Sequence, residues 1–315
     1  MKLIRYVGGG RVEVQEEAPP AMPRGGLLVR TEACGLCSGE LMDWYMDRKA
    51  PHVLGHEVCG VVAESDDWRF PIGTRVFVHH HAPCEVCEHC LAGRFVHCAQ
   101  WRSTRLVPGG MAEFYAAAPE NLTDTLDVGT MRARDAALIE PLACVLKSIS
   151  RGVSGRSAVI GLGSMGMLHL LMLQNAVGIE VNPARLAHAL SLGLSAISPE
   201  EAGPGEFACV YVCPGSQAAL DFGVRLAGPD GRIVLFAPVV EDTRLDLRGG
   251  YFRDLSFATS YSCGPMETRA AFEALAHGRV RAEQVVSEFV GIEKLPEAYA
   301  AMKSGSTLKA MVVFE

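Results

Sequence analysis

The stretch SAVIGLGSMGMLHLLMLQ (157–174) decides the fold of this 315-residue chain. It opens with a short apolar run, turns through GLGSMG (161–166), and continues as an apolar segment long enough for a helix. The turn has the spacing G-x-G-x-x-G between a predicted strand and a predicted helix. In that setting the spacing is typical of a βα unit that holds a dinucleotide. An ordinary strand–helix turn is the alternative interpretation.

Each glycine of this turn has an expected task. Gly161 makes the tight turn, Gly163 lets a pyrophosphate approach the backbone, and Gly166 allows the helix to pack closely on the strand. Ser164 and Met165 open the helix, whose N-terminal N–H groups and positive potential favour a phosphate. We therefore predict that 161–166 contacts the cofactor.

Two further residues belong to the predicted cofactor site. Glu180 ends the next strand, 19 residues after Gly161. A carboxylate at that position accepts hydrogen bonds from ribose hydroxyls and repels a 2′-phosphate, which favours NAD over NADP. Arg185, in the helix that follows, is included among the cofactor-binding residues.

Strand and helix patterns alternate after residue 157, which predicts a parallel, doubly wound sheet. The segments are VGIEV (177–181), PARLAHALSLG (183–193), FACVYVCPG (207–215), SQAALDFGVRLA (216–227) and GRIVLFAPV (231–239). The first third is instead β-rich, with predicted strands at 27–35, 58–64 and 75–81. A helical stretch at 133–150 contains Pro141, which we expect in the first turn of a new helix. At the end, 294–305 predicts a helix and 308–315 a strand that pairs back with the N-terminal region.

Composition excludes several classes of protein. The formal net charge is −7 and basic residues form no long run, so we expect no nucleic-acid partner. No apolar stretch approaches the roughly 20 residues that cross a bilayer, and the N-terminus is a poor secretory signal. We expect a cytoplasmic protein with no membrane partner. Its eleven cysteines are clustered rather than spread as a disulfide framework would be.

The segment PCEVCEHCLAGRFVHC (83–98) carries four cysteines, at 84, 87, 90 and 98. Four thiolates bind zinc tetrahedrally and leave no open position, so Cys84, Cys87, Cys90 and Cys98 predict a structural zinc site. Three alternatives remain open. A DNA-reading finger would need a basic face, an iron–sulfur cluster can use similar spacing, and disulfides could form.

Three motifs, each weak when taken alone, contain a second set of candidate metal ligands. Cys37 lies in TEACGLCSGE (31–40), His56 and Glu57 in VLGHEVCG (53–60), and Glu140 in LIEPLAC (138–144). Together they supply the S, N and O donors of a catalytic zinc, which leaves one position for water or substrate. Taken singly, each has an ordinary structural role as the alternative.

Three successive histidines, at 79–81, invite a further metal assignment. Side chains alternate faces along a strand, so three in a row cannot all reach one ion. We interpret them as structural or cleft-facing and assign them no zinc.

In this order, these motifs resemble the zinc-dependent medium-chain alcohol dehydrogenase family, most closely its polyol and threonine dehydrogenase branch. The resemblance spans essentially the whole chain, from Cys37 to the returning C-terminal strand. It implies an α/β fold with a GroES-like β-barrel catalytic domain over 1–145, whose zinc lobe is 84–98. A Rossmann domain with a doubly wound parallel sheet would follow over 146–280, and 281–315 would return to the catalytic domain.

The resemblance also implies residue roles. Cys37 and His56 would ligate the catalytic zinc, and Glu57 and Glu140 would supply its carboxylate, either directly or by exchanging with water. Glu40 would orient the ligand histidine. Lys309, in the last strand, would reach the cofactor pyrophosphate.

The sequence departs from the family pattern at two places. The relay hydroxyl usually stands two residues after the ligand cysteine, where this chain has Gly39, and Ser38 is the nearest hydroxyl. The helix after GLGSMG is also several residues shorter than in relatives. Either the fold tolerates the shorter connection, or residues are absent from this sequence, or a true deletion alters the adenosine end of the cofactor site and weakens the preference for NAD.

These implications predict a zinc- and NAD-dependent oxidoreductase that transfers hydride from a secondary alcohol, polyol or amino alcohol, with two zinc ions per chain. A homodimer or homotetramer is expected. The alternative is a catalytically inactive, dinucleotide-binding redox sensor on the same scaffold. A zinc-free quinone or enoyl reductase is a third hypothesis, disfavoured because such proteins generally lack both cysteine sets.

Overall fold

The computed structural model describes residues 1–239 and 243–314, which fall into two units by their contacts. The first unit combines Met1–Ala143 with Cys263–Glu315, and the second is Cys144–Ser262. The resemblance implies boundaries at 145 and 281. The chain returns to the first unit earlier than 281 because the helix Pro265–Ala276 packs there, with the Thr268 hydroxyl donating to Asp124 at 2.6 Å. Glu315, the last residue of the predicted return, lies outside the described residues.

The first part of the chain is built mainly of strands, as its Val-rich runs predict. The strands are Lys2–Gly8 (β1), Arg11–Glu16 (β2), Leu27–Gly35 (β3), His52–Val53 (β4), Glu57–Ser65 (β5), Arg75–Val78 (β6), Leu106–Val107 (β7), Phe114–Ala117 (β8) and Thr125–Asp127 (β9). The helices are Asp43–Met46 (α1), Glu88–Leu91 (α2), Ala99–Ser103 (α3), Ala133–Ala136 (α4) and Ile139–Ser150 (α5). Short 3-10 turns occupy Ser38–Leu41, Phe95–His97 and Pro119–Asp124. Pro141 stands in the first turn of α5, as predicted.

The second unit alternates strand and helix. Its strands are Ser157–Ile160 (β10), Ala176–Ile179 (β11), Ala196–Ile197 (β12), Phe207–Val212 (β13), Ala227–Leu235 (β14) and Ser256–Thr259 (β15). Its helices are Ser164–Met172 (α6), Pro183–Ser191 (α7), Gln217–Leu226 (α8) and Leu247–Tyr251 (α9), with a 3-10 turn at Pro199–Glu201. The strands form one parallel sheet in the order β12-β11-β10-β13-β14-β15. The predicted doubly wound sheet is thereby confirmed.

The last segment adds Pro265–Ala276 (α10), Leu295–Lys303 (α11), Glu288–Val290 (β16) and Ala310–Val313 (β17), with 3-10 turns at Ala282–Gln284 and Ile292–Lys294. β17 pairs antiparallel with β3, as predicted, with Met311 opposite Gly35 and Val313 opposite Ala33. The resulting sheet has the order β16-β17-β3-β5-β6-β9, and β8 adds to β3 and carries β7. A separate three-stranded sheet has the order β2-β1-β4.

Each unit has its own apolar core. Val29, Val58, Tyr115 and Val312 meet in the first, where the return strand contributes directly. Ala158, Val177, Val210 and Ile233 line the middle of the parallel sheet in the second. Over the described residues, none of the helices combines the length and the apolar character that a membrane crossing requires.

A buried carboxylate fastens the return to the first segment. Asp135, fully buried in α4, accepts from the Arg132 guanidinium at 2.8 and 3.0 Å and from the backbone N–H of Ala282 at 2.8 Å. Arg132 also contacts Glu283, whose side chain is half exposed. The buried carboxylate and the exposed one therefore share a partner in very different surroundings.

We expect Asp135→Ala to lower the free energy of unfolding of the first unit by about 3 kcal/mol, because it strands a buried N–H. Glu283→Ala, the matched control, should change it by less than about 1 kcal/mol, since it removes only a solvated ion pair. Urea unfolding followed by tryptophan fluorescence measures this unit selectively, because Trp44, Trp68 and Trp101 all belong to it. An equal decrease in the free energy of unfolding in the two variants would contradict the anchoring role given to Asp135.

Candidate functional site

Three of the predicted zinc ligands come together in the first unit. Cys37 precedes the 3-10 turn Ser38–Leu41, His56 precedes β5, and Glu57 opens β5. Antiparallel pairing sets Glu57 opposite Gly35, so the ends of β3 and β5 bring the three segments side by side. Their ligand atoms all lie within 4.8 Å of one another. We refer to Cys37, His56 and Glu57 as the first donor set.

Glu40 supports two members of this set. Its Oε1 lies 3.4 Å from Nδ1 of His56 and accepts from the Gly55 N–H at 2.7 Å. Its Oε2 accepts from the Cys37 N–H at 3.2 Å. Tyr299 of α11 donates to the Glu40 carbonyl at 3.1 Å. The Glu40 carboxylate thus contacts His56, the residue that the resemblance implies it orients.

Glu57 has a partner that the sequence did not suggest. The Lys309 ammonium lies 2.5 Å from its Oε2 and also donates to the Leu36 carbonyl at 3.0 Å. Lys309 is 1% exposed. Gly35 makes room for the pair, because a Cβ there would stand 2.2 Å from Oε2 of Glu57. The structure therefore places Lys309 on a ligand carboxylate, deep in the first unit.

The charges of the first donor set act on one another. Burial lowers the pKa of His56, but Cys37 and Glu40 oppose it and leave that pKa well above its usual value. Burial raises the pKa of Glu57, and Lys309 only partly offsets this. A metal-free site therefore holds a proton on His56 that a cation must displace.

The residues present fit a zinc ion. Thiolate, imidazole and carboxylate are its usual ligands. The Oε1 atom of Glu57 is buried and accepts no hydrogen bond from any residue that the structure describes. Such an atom is costly unless a cation or donor meets it. Ser38, the nearest hydroxyl to Cys37, is exposed at the start of its turn, next to Gly39.

Glu140 joins a different cluster. Its carboxylate groups with His79 and Cys263, all three buried and with ligand atoms within 4.8 Å of one another. It does not enter the first donor set, although its charge raises the pKa of Glu57. We refer to His79, Glu140 and Cys263 as the second donor set.

The alternation of side chains along a strand does not apply to the three histidines. The strand β6 ends at Val78, so residues 79–81 lie outside it. His79 turns inward to Asp124, whereas the His81 ring lies 4.0 Å from the ring of Trp101 and the His80 ring lies 4.8 Å from that of His56. The three histidines therefore have different partners, although the rings of His80 and His81 also lie 4.0 Å apart.

The four cysteines of the lobe converge. Sγ–Sγ distances are 3.5 Å for Cys87–Cys90, 3.6 Å for Cys84–Cys98 and 4.0 Å for Cys84–Cys90. A tetrahedron of zinc–sulfur bonds near 2.3 Å needs about 3.8 Å between sulfurs. None of the eleven cysteines is in a disulfide. The geometry fits one closed, four-thiolate ion.

The glycine-rich turn has the shape that its sequence predicts. Gly161 has φ +82°, and a Cβ at Gly166 would stand 1.9 Å from the Gly161 carbonyl oxygen. A Cβ at Gly163 would meet nothing within 4 Å. The backbone at Gly163 is thus bare at the start of α6, where Ser164 and Met165 open the helix.

Of the two other predicted cofactor residues, Glu180 contacts this turn. Glu180 follows β11, and its carboxylate accepts from the Leu162 N–H at 2.6 Å and from the Asn182 N–H at 2.8 Å. Arg185 lies in the first turn of α7, where its N–H donates to the Asn182 cap at 3.3 Å. A carboxylate thus reaches the glycine-rich turn from the neighbouring strand.

Comparison with known proteins decides the family. The profile of the alcohol dehydrogenase GroES-like domain matches residues 23–127. The chain is 30% identical over 340 aligned positions to D-altritol 5-dehydrogenase of Agrobacterium fabrum, with 100% of both chains covered. It belongs to the zinc-type medium-chain alcohol dehydrogenase family. Human sorbitol dehydrogenase is 26% identical, with 97% of this chain and 93% of that protein covered.

The solved structure of an alcohol dehydrogenase from Thermus sp. ATN1 superposes on this dehydrogenase with a TM-score of 0.86, covering 100% of both chains at 23% identity. The predicted GroES-like and Rossmann architecture is confirmed, and the chain is an oxidoreductase. The alignment with the Agrobacterium enzyme is longer than the chain, so the relative has residues that this dehydrogenase lacks. The helix α6 spans nine residues, and β11 begins four residues after it ends.

We expect Glu40→Gln in this dehydrogenase to weaken zinc binding at the first donor set roughly 10- to 100-fold, because a neutral amide holds His56 less firmly. Competition with a chelator measures the affinity. Glu64→Gln, on an exposed residue of the same unit, is the matched control. An unchanged affinity in Glu40→Gln would refute this orienting role.

Zinc binding at the first donor set should weaken as the pH falls. The pKa of His56 is raised, so the ring holds its proton to higher pH than usual, and that proton must leave before the imidazole can bind a metal. One displaced proton changes affinity by up to about tenfold per pH unit below that pKa. Bound zinc is measured from pH 6 to 9 in wild type and in His56→Ala, and the difference reports this site. A difference that does not vary with pH would contradict the expectation.

Proposed function

We propose that this dehydrogenase uses zinc and NAD to oxidise a secondary alcohol of the polyol class. The observation that carries the proposal is the first donor set, with three ligand atoms of different chemistry within 4.8 Å and a buried carboxylate oxygen that accepts no hydrogen bond from any described residue. Such a set leaves one zinc position for a substrate hydroxyl.

Bound zinc would supply Lewis acidity, which lowers the pKa of a substrate hydroxyl. The chain's own groups hold the donors in place. Glu40 fixes the His56 ring and the Cys37 backbone, and Lys309 fixes one oxygen of Glu57. Ser38 stays the proposed hydroxyl for passing the substrate proton to solvent, since it is exposed beside Cys37. Glu140, whose charge acts on Glu57, is proposed to supply a carboxylate to the zinc directly or by exchanging with water.

The nicotinamide cofactor would accept hydride when bound. The bare backbone at Gly163 and the N-terminus of α6 are where its pyrophosphate is proposed to lie. Glu180 is proposed to meet the adenosine ribose, which favours NAD, and Arg185 to flank it. Lys309 is engaged with Glu57 and the Leu36 carbonyl, so its proposed effect on the cofactor is indirect.

The names of relatives support the substrate class. Full-length relatives include D-altritol 5-dehydrogenase and sorbitol dehydrogenase, and an L-threonine 3-dehydrogenase of Rhizobium rhizogenes is 25% identical. Polyols are therefore proposed first and amino alcohols second. The inactive redox sensor is not favoured, because the first donor set is complete and these relatives are named as enzymes.

The test is NADH formation by the zinc-loaded protein on a panel of polyols, simple secondary alcohols and L-threonine, with NADP in parallel. Turnover with NAD on a polyol is the expected result, and Cys37→Ala should lower it at least 1000-fold while leaving NAD binding intact. Glu180→Ala should narrow the preference for NAD over NADP at least tenfold, because it removes the repulsion of the 2′-phosphate.

Each outcome bears on a separate part of the proposal. Wild-type turnover with NADP alone would overturn the role of Glu180. NAD binding with no turnover on any alcohol, in protein with the first donor set loaded, would restore the sensor hypothesis. Unchanged activity in Cys37→Ala would remove zinc at this set from the reaction.

A further inference from the structure

One arginine of the first unit lies beside the three histidines at 79–81 and has no acidic partner. The Nη1 atom of Arg105 donates to the carbonyls of Arg102 and Thr104 and lies 3.5 Å from Nδ1 of His81. Its Nη2 and Nε atoms contact no polar group of any described residue, and no described carboxylate pairs with the guanidinium. Two parallel N–H donors on one edge of an arginine are the arrangement that binds a carboxylate or a phosphate.

A row of rings connects Arg105 to the first donor set. The His80 ring lies 4.8 Å from the ring of His56, a member of that set, and 4.0 Å from the ring of His81. His81 in turn contacts Arg105. All of these residues belong to the first unit. Two imidazole rings therefore separate the guanidinium from a ligand of the proposed zinc.

His80, in the middle of this row, has a nitrogen without a partner. Its Nδ1 is buried and forms no hydrogen bond with any residue that the structure describes. A buried polar atom of this kind is costly unless a ligand or solvent pairs with it. One nitrogen of a neutral imidazole donates and the other accepts, whereas a hydroxyl group can do both. A hydroxyl would therefore satisfy Nδ1 of His80 in either tautomer.

The positive charge of Arg105 acts on the region around the first donor set. Burial lowers the pKa of His52, His80 and His81, and the charge of Arg105 lowers the pKa of each ring further. Lys49 acts in the same direction on His52. Because such effects weaken with distance, Arg105 lies within electrostatic reach of His52 and His80 as well as of His81. An anion bound at Arg105 would thus enter a positively charged part of the site.

We propose that the substrate carries an anionic group, a carboxylate or a phosphate, which the guanidinium of Arg105 binds. The inference rests on the proposed function, in which zinc at the first donor set holds the reacting hydroxyl. The remaining chain of an open-chain polyol would extend along the His80 and His81 rings, with one hydroxyl on Nδ1 of His80. It would end at Nη2 and Nε of Arg105. The substrate class is then a sugar acid or a sugar-alcohol phosphate and not a neutral polyol.

The alternative role of Arg105 is structural. Its contacts with the Arg102 and Thr104 carbonyls close the end of α3. Nη1 makes both of these contacts, so the Nη2 and Nε edge remains for a ligand. A structural role alone would make every substrate equally sensitive to replacement of Arg105. Binding of an anion would make only charged substrates strongly sensitive.

The first test compares substrates that differ only at one end of the chain. A hexitol, the corresponding hexonate and the corresponding hexitol phosphate are assayed in several configurations with NAD and zinc-loaded, full-length protein. We expect kcat/KM for one anionic member to exceed that for its hexitol by about 100-fold, because a bidentate, charge-assisted pair is among the stronger polar interactions. The arm with the higher kcat/KM, hexonate or phosphate, identifies the anion.

Variants locate the origin of this preference. Arg105→Gln should bring the ratio of kcat/KM for the anion to that for the hexitol to about one, mainly by raising KM for the anion. Arg105→Lys keeps the charge without the planar fork and should retain part of the preference. Arg102→Gln, the matched control, removes another exposed positive charge from the same lobe and should leave the ratio unchanged. His80→Phe should lower kcat/KM for neutral and anionic substrates alike, because a hydroxyl loses its partner.

Calorimetry without NAD measures binding of the same compounds when no hydride can be transferred. The preferred anion should bind more tightly than its hexitol to wild type and to Arg102→Gln, but not to Arg105→Gln. The wild-type comparison alone decides the matter if Arg105→Gln fails to fold.

The outcomes separate this inference from the proposed function. Turnover of neutral hexitols with no preference for either anion, in kinetics and in binding, would overturn the inference and leave the proposed function in place. An equal decrease for neutral and anionic substrates in Arg105→Gln would also overturn it, because it indicates a structural role. Anion binding that depends on Arg105, with no turnover of any compound, would support the inference and count against the proposed reaction. Unchanged kinetics in His80→Phe would remove His80 from the path of the substrate.

Discussion

The buried ion pair between Glu57 and Lys309 is the contact on which the site depends. Removing one partner of such a pair leaves an uncompensated buried charge and commonly costs 3–5 kcal/mol. Here it would also free an oxygen of a ligand residue. Because Lys309 directly precedes β17, pairing of the return strand with β3 sets the ammonium in position. Gly35, which leaves space for the Glu57 carboxylate, completes the arrangement.

The metal-binding unit therefore rests on long-range connections. Tyr299 donates to the Glu40 carbonyl, Lys309 pairs with Glu57, and Cys263 faces His79. Residues of 263–315 therefore contact both donor sets. The lobe differs, because its four sulfurs come from residues 84–98 and its small apolar cluster includes Val96 and Trp101. One kind of site is local in sequence, and the other kind exists only when both segments of the unit are assembled.

That difference explains what could be predicted from the sequence. The glycine-rich turn and the cysteine ladder are short, and their spacing dictates their geometry. The strand–helix alternation likewise predicted the parallel sheet. The apolar run at the end of the chain predicted a strand that returns to the N-terminal region, but not that its partner would be β3. By contrast, the contact of Lys309 with Glu57 joins residues far apart in the chain and has no local signal. The contact of His79 with Asp124 likewise has no local signal, because it joins residues 45 positions apart and lies just beyond the strand that ends at Val78.

The discontinuous first unit also fixes an order of events during synthesis. The four sulfurs of the lobe can come together once residue 98 has left the ribosome. The Glu57 carboxylate can pair with Lys309 only after the second unit has also been synthesised. At 5–20 residues per second, the interval is roughly 10 to 40 s. During that time Cys37 and His56 lack the contacts that residues of the last segment provide to Glu40 and Glu57, because the whole second unit is synthesised first. The contacts of Glu57 and Glu40 with residues of the last segment therefore form after the second unit has been synthesised, whereas the four sulfurs of the lobe need no residue beyond 98.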